Sequence, residues 1–487
     1  MIPKKMIPKC MSTQHPDNVN SPFFSSSPEI GGEDEIAEAF YVFSQLGCDE
    51  QMWDCEGKEV DNYVVKKLLS KYGLFFNEKK LGEDYFVTLR VPNPTVEKAE
   101  AKILLETLES IPRSFDAAKL FYGEDIVPVF EIILPMTASY QCIDRIYRYY
   151  VDFVIGKQNK SFKPGDITIA DWIGEFKPSK INVIPLFEDM DGMLHAHDMT
   201  RKYLNDKNVD YQRVFLARSD PAMNYGLVSA VLLNKLALNN LNLLSEDIGV
   251  EIFPILGVGS APLRGNLKPS TVESLAKEYP SVHTFTVQSS FKYDNPTDEV
   301  VKAIGKIKSR KTSKPLEVDE EKFLDIINKY SQEYQKQILD LAPFINKVAK
   351  STPSRRKRKL HIGLFGYSRN IDGVSLPRAI SFTCALYSLG LPPEIFGLNA
   401  LDEDDVSFLN ENYLNLNYDL KDALRYLNID SPLLPESIKN KLKFIDYEVD
   451  QTHKEITGQL TEFVCKNEVD TIPELVLRAA NRRQFLG

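Results

Sequence analysis

The sequence predicts an α/β protein, a (β/α)8 barrel carrying additional helices that fall mostly toward its carboxyl end. Three observations predict it. Eight short apolar runs read as strands, helical periodicity fills many of the intervals between them, and four runs end in charged or glycine residues. Near-continuous apolar strands suit a parallel sheet covered on both faces. Polar groups at the carboxyl ends of such strands are where an α/β barrel presents chemistry. A doubly wound open sheet would show the same alternation, since periodicity does not report closure; the count of eight favours the barrel.

The 487 residues allow one decorated barrel: an irregular amino-terminal segment at 1–45 that contributes to the site, the barrel at 46–390, and a mainly helical layer at 391–487. The first segment reads as irregular because it is rich in Pro, Ser and Asn, with SPFFSSSP at Ser21–Pro28, and it suits a tail or a lid. Candidate strands follow at Gln51–Cys55, Tyr85–Val91, Val127–Leu134, Asn182–Phe187, Arg213–Ala217, Glu251–Leu256, His283–Val287 and Leu360–Phe365. The clearest linking helices are Leu194–Leu204, Tyr225–Leu238 and Thr271–Glu278; Val228, Val231, Leu232 and Leu236 give the second an apolar face. A charged, periodic stretch at Glu317–Val348 reads as a long amphipathic helix. Beyond Gly390 the chain turns acidic and helical.

Composition narrows the function classes. A net charge of −10 disfavours general affinity for nucleic acid or an anionic membrane. The basic runs Arg355–Lys359 and Lys306–Lys314 lack interleaved aromatics for base stacking and read as solvated linker and strand lead-in. Six scattered cysteines form no C-x-x-C pair, which argues against a zinc site and a disulfide framework. No signal-peptide core follows Lys4, Lys5 and Lys9, and no apolar run is read as approaching the roughly 20 residues of a membrane span, so the expected location is the cytoplasm.

Chemistry concentrates at the strand ends. Glu188 closes IPLFE and Asp220 closes VFLARSD, one βα unit apart. On neighbouring strands roughly 4.8 Å apart, both carboxylates reach one small cation, and oxygen-only ligation suits Mg²⁺ or Mn²⁺. The competing reading makes both helix N-caps. The loop Gly257–Gly265 (GVGSAPLRG) could bring backbone amides to an anion, with Arg264 adding a fork of donors. Arg90, Arg264, Arg369 and Arg378 all stand near strand ends or loops, and arginine suits bidentate binding of phosphate and carboxylate. His15, in the proline-braced STQHPDN, is a candidate acid, base or hydrogen-bond donor. His195 and His197 would point to different faces of a helix and read as structural.

TQHP at Thr13–Pro16 resembles the histidine motif of phosphoenolpyruvate carboxylases, and STQHPDN with WDCEGK at Trp53–Lys58 is similar to the short, archaeal-type branch. EIILPMTASYQCID, IPLFED, ARSDPAMNYG, Gly257–Gly265, TVQSSFKY and DGVSLPRAI follow in the same order, so the resemblance spans almost the whole chain. It implies a TIM-type barrel, usually a homotetramer, that carboxylates phosphoenolpyruvate with bicarbonate through carboxyphosphate and a pyruvate enolate. Glu188 and Asp220 would hold Mg²⁺ or Mn²⁺. Arg90, Arg264, Arg369 and Arg378 would bind phosphate and bicarbonate, Gln288 would add a minor contact, and His15 would steer carboxyphosphate breakdown. The larger enzymes of the family carry a lysine where this chain has Met223, and an arginine-bearing loop where it has Leu256–Ala261. Arg218 or Lys292 is the expected replacement. The alternatives are another phosphoenolpyruvate or pyruvate barrel enzyme, a lyase or phosphotransferase, and a non-catalytic nucleic-acid scaffold.

Overall fold

The computed structural model describes residues 7–55, 61–98, 101–357, 369–371, 373–443, 445–468 and 470–487, with the backbone alone for 369–371. Eight parallel strands close a barrel in sequence order: β1 (Cys10–Ser12), β2 (Glu50–Asp54), β3 (Phe86–Arg90), β4 (Glu131–Leu134), β5 (Asn182–Phe187), β6 (Tyr211–Ala217), β7 (Glu251–Gly257) and β8 (Thr284–Val287). Closure excludes the open sheet. Seven expected strands are present, but the remaining one is β1, inside the segment read as irregular. β1 zips between β2 and β8, pairing Met11 with both Glu50 and Thr286. The expected strand at Leu360–Phe365 lies outside the described residues, and the barrel closes without it.

Side chains alternate in and out along each strand, so the barrel interior fills in layers drawn from alternate strands. At the amino-terminal end of the strands, Arg213 donates to Glu50 at 2.8 Å and to Glu131 at 2.7 Å, with Thr284 at 3.4 Å. Tyr211 donates to Glu131 at 3.1 Å, and Thr88 to Glu50. Above this charged plug lies an apolar layer of Met11, Met52, Ile133, Ile184, Leu186, Phe215, Ala217 and Ile255. Two residues further along the strands, the same inward phase reaches Arg90, Glu188 and Gln288.

The Leu227–Ile248 helix is buried along most of its length and packs on the Glu320–Ala349 helix. It is apolar and long enough to cross a membrane, contrary to the expectation that no run approaches that length, but 78% of its most apolar window is buried inside the fold. The amphipathic pattern at Glu317–Val348 is realised as Glu320–Ala349, started by Asp319, whose carboxylate accepts from Lys322 N at 3.0 Å. Past the barrel, β9 (Arg369–Ile371) and β10 (Val374–Leu376) form an antiparallel ribbon, followed by the helices Ala379–Ser388, Gln451–Lys466 and Ile472–Arg483.

Candidate active site

A cavity of about 330 Å³ opens at the carboxyl end of the strands and is lined by His15, Arg90, Glu188, Asp220, Arg264, Gln288 and Arg378. Seven of the eight residues expected from the sequence therefore share one space. The eighth, Arg369, contributes a backbone position in β9, and its side chain lies outside the described residues, as do Tyr367 and Ser368.

β5 and β6 are neighbours, with Leu186 opposite Phe215, which brings Glu188 and Asp220 to adjacent strand ends. Neither acts as a helix cap. The cap of the Met190–Leu194 helix is Asp189, which accepts from Gly192 N at 2.7 Å. The Ser219–Tyr225 helix has Arg218 at its cap position, placing Asp220 in the first turn. Glu188 accepts from Met136 N at 3.2 Å, which fixes one carboxylate oxygen. Among the described residues no group of three or more His, Cys, Asp or Glu side chains is placed to hold a metal. Two carboxylates on one cavity wall do fit a hard ion that takes its other oxygens from water and substrate.

Arg264 is 2% exposed and held by a ring of acceptors. Its Nε donates to Ser219 Oγ at 3.1 Å, its Nη1 to Asp17 at 3.3 Å and to Gly487 O, and its Nη2 to Gln288 Oε1. Burial pulls its pKa below the ordinary arginine value, and Asp17 and Asp220 oppose that pull. The glycines of its loop do not cradle an anion as expected. Gly259 N donates to Arg264 O, Arg264 N to Ala261 O and Gly265 N to Pro262 O, so these amides close the turn itself, while Val258 N donates to Thr286 Oγ1 on β8. A Cβ on Gly259 would sit 2.9 Å from the Arg264 guanidinium carbon: the glycine makes room for the arginine.

Arg90 ends β3 and donates to Asp54 at 3.1 Å, while Arg378 heads the Ala379–Ser388 helix. His15 follows β1, with Nδ1 2.9 Å from Thr13 Oγ1. Its loop is pinned from below. Lys292 Nζ donates to Ser12 Oγ at 3.0 Å, to Thr13 O at 2.9 Å and to Glu38 at 3.1 Å.

Arg355 and Arg356 also line the cavity, against the reading of their basic run as solvated. Arg355 donates to the carbonyls of Asn18 and Val19 at 3.2 and 2.6 Å. Arg356 grips both oxygens of Glu38 at 2.6 and 2.8 Å, with Glu35 at 3.3 Å. Burial alone would push the Glu38 carboxyl up, but Arg356 and Lys292 hold it well below the usual carboxylate range. Arg218 and Lys292, the expected replacements for missing family cations, do not line the cavity; the additional cations on its wall are Arg355 and Arg356.

The family described as phosphoenolpyruvate carboxylase matches residues 7–487. The chain belongs to the phosphoenolpyruvate carboxylase family. It is 58% identical over 482 residues to the phosphoenolpyruvate carboxylase of Methanothermobacter thermautotrophicus, covering 99% of this chain and 100% of that one. Identity to the phosphoenolpyruvate carboxylase of Methanospirillum hungatei is 58% over 482 residues, again with 99% and 100% covered. For the Pyrococcus furiosus phosphoenolpyruvate carboxylase it is 53% over 487 residues, with the same coverage.

Proposed function

We propose that this enzyme carboxylates phosphoenolpyruvate with bicarbonate, giving oxaloacetate and phosphate. The observation that carries the reading is the one cavity in which two carboxylates, five arginines, Gln288 and His15 converge. Glu188 and Asp220 would hold Mg²⁺ or Mn²⁺, and such an ion supplies charge stabilisation for a developing enolate.

The chain's own residues do the rest. Arg90, Arg264 and Arg378 bind the phosphate and carboxylate oxygens, with Arg369 joining them. Gln288 orients Arg264 through the Nη2 contact. A bicarbonate oxygen attacks phosphorus and the enolate oxygen leaves, giving carboxyphosphate; His15 then takes the carboxyphosphate proton as carbon dioxide and phosphate separate. The enolate carbon attacks that carbon dioxide. Apolar walls from Met52, Leu186, Phe215 and Ala217 keep water from protonating the enolate first.

A homotetrameric assembly and a cytoplasmic location belong to the same proposal, with no nucleic acid or membrane partner. Other phosphoenolpyruvate or pyruvate barrel enzymes would use the same arginines and ion, and dependence on bicarbonate separates them. The test is oxaloacetate formation, read by coupled reduction to malate, with and without bicarbonate and with Mg²⁺ present or chelated. Activity requiring both is the expected result, and phosphate release without oxaloacetate would overturn the assignment.

A further inference from the structure

Leu263 occupies the turn just before Arg264, and the hydrogen bonds of the turn pass it by on both sides. Its N–H donates to Glu394 Oε1, and its C=O accepts from Arg218 Nη1 at 3.0 Å. A buried acid and a buried base thus hold the two faces of one residue's backbone. Glu394 is 0% exposed and Arg218 is 1% exposed. Burying a carboxyl group for contacts that a serine or a water would also make is costly, so the presence of Glu394 asks for a reason. The Arg218 guanidinium is also met by Tyr279, Tyr413 and Asp419, which raise its pKa.

The reason lies in the elements that the two groups join. Tyr387 donates its hydroxyl to the same Glu394 oxygen at 2.7 Å, and Tyr387 belongs to the Ala379–Ser388 helix that Arg378 heads. Arg218 stands directly before Ser219, which accepts from Arg264, and Asp220. One carboxyl group therefore joins the Arg264 turn to the Arg378 helix, and one guanidinium joins that turn to the Asp220 helix.

We propose that Glu394 and Arg218 are positioning residues, which set Arg264, Arg378 and Asp220 in register with one another by clamping Leu263; this rests on the reading of those three as the binding groups of the carboxylase site. Neither residue lines the cavity. Both Glu394 contacts are made to one oxygen acting as acceptor, so an amide serves as well as a carboxyl. Burial, which pushes the Glu394 carboxyl up to about 7, fits the same point.

Glu394→Gln and Glu394→Met separate the readings. Glu394→Gln should keep kcat/KM for phosphoenolpyruvate within about twofold of wild type. Glu394→Met, of similar volume but with no acceptor, should lose roughly tenfold, well inside the ~100-fold that a 1 Å misplacement can cost. Amide exchange gives a readout apart from activity. It should rise at residues 259–267 and 379–388 in Glu394→Met and stay at the wild-type level in Glu394→Gln. Wild-type kinetics and exchange in Glu394→Met would overturn the proposal, as would a Glu394→Gln as damaged as the methionine variant. If Glu394→Met does not fold, Tyr387→Phe decides: exchange at 379–388 should rise, and an unchanged pattern overturns the clamp. A wild-type enzyme that forms no oxaloacetate would defeat the functional reading instead, while the exchange data would still judge the clamp.

Discussion

The two ends of the barrel both bury charge, and they use it in opposite ways. At the amino-terminal end, Arg213 is fully buried and meets Glu50 and Glu131 in a closed set, capped by Thr88, Tyr211 and Thr284. At the carboxyl end, Arg90, Arg264, Glu188 and Asp220 stand around a cavity of about 330 Å³. Charges that complete one another inside protein serve the fold. Charges that converge on a space large enough for a small anion are placed as the proposed ligand site requires, and between the two lies an apolar layer that keeps them apart.

Substitutions at the two ends should have different consequences. The largest effect is expected below: Arg213→Met leaves two carboxylates facing each other without their partner, which should cost about 3–5 kcal/mol of stability. Denaturant unfolding reads it, and folded Arg213→Met at low temperature should retain near-normal KM for phosphoenolpyruvate. Next comes Glu188→Gln above, which should lower turnover roughly 100- to 1000-fold while the unfolding midpoint stays in place. Arg90→Met follows, with kcat/KM reduced by the ~1.5–3 kcal/mol of a charged hydrogen bond, measured in steady-state kinetics.

A further effect depends on pH. The Glu394 carboxyl is raised by burial to about 7, so it binds its proton more tightly folded than unfolded. Its contribution to stability is present at low pH and lost as pH rises from the ordinary carboxylate range through about 7. Glu394→Gln should flatten that part of the decline, seen as a shallower fall in melting temperature between pH 5 and pH 8. An unchanged slope would mean that Glu394 does not titrate there.

Seven strands were legible because each is an apolar run with a clear end, and those same ends marked Glu188, Asp220 and Arg264. The strand β1 was not, since Cys10–Ser12 is three residues without a period, given its place by pairing with β2 and β8. The Arg213 plug was equally invisible, because its partner Glu50 stands 163 residues away. Arg355 and Arg356 read as solvated for the same reason: Glu38 is 318 residues from Arg356, and a run of cations carries no sign of the acids that will meet it. Long-range charge pairing is set by the fold, and local pattern does not encode it.

The most direct test of this division is Asp220→Asn, followed by turnover, Mn²⁺ binding and thermal unfolding on the same preparation. The division predicts a protein that melts with the wild type, binds Mn²⁺ far more weakly and turns over at a small fraction of the wild-type rate. Wild-type Mn²⁺ binding and turnover would contradict it, by removing Asp220 from the working end of the barrel.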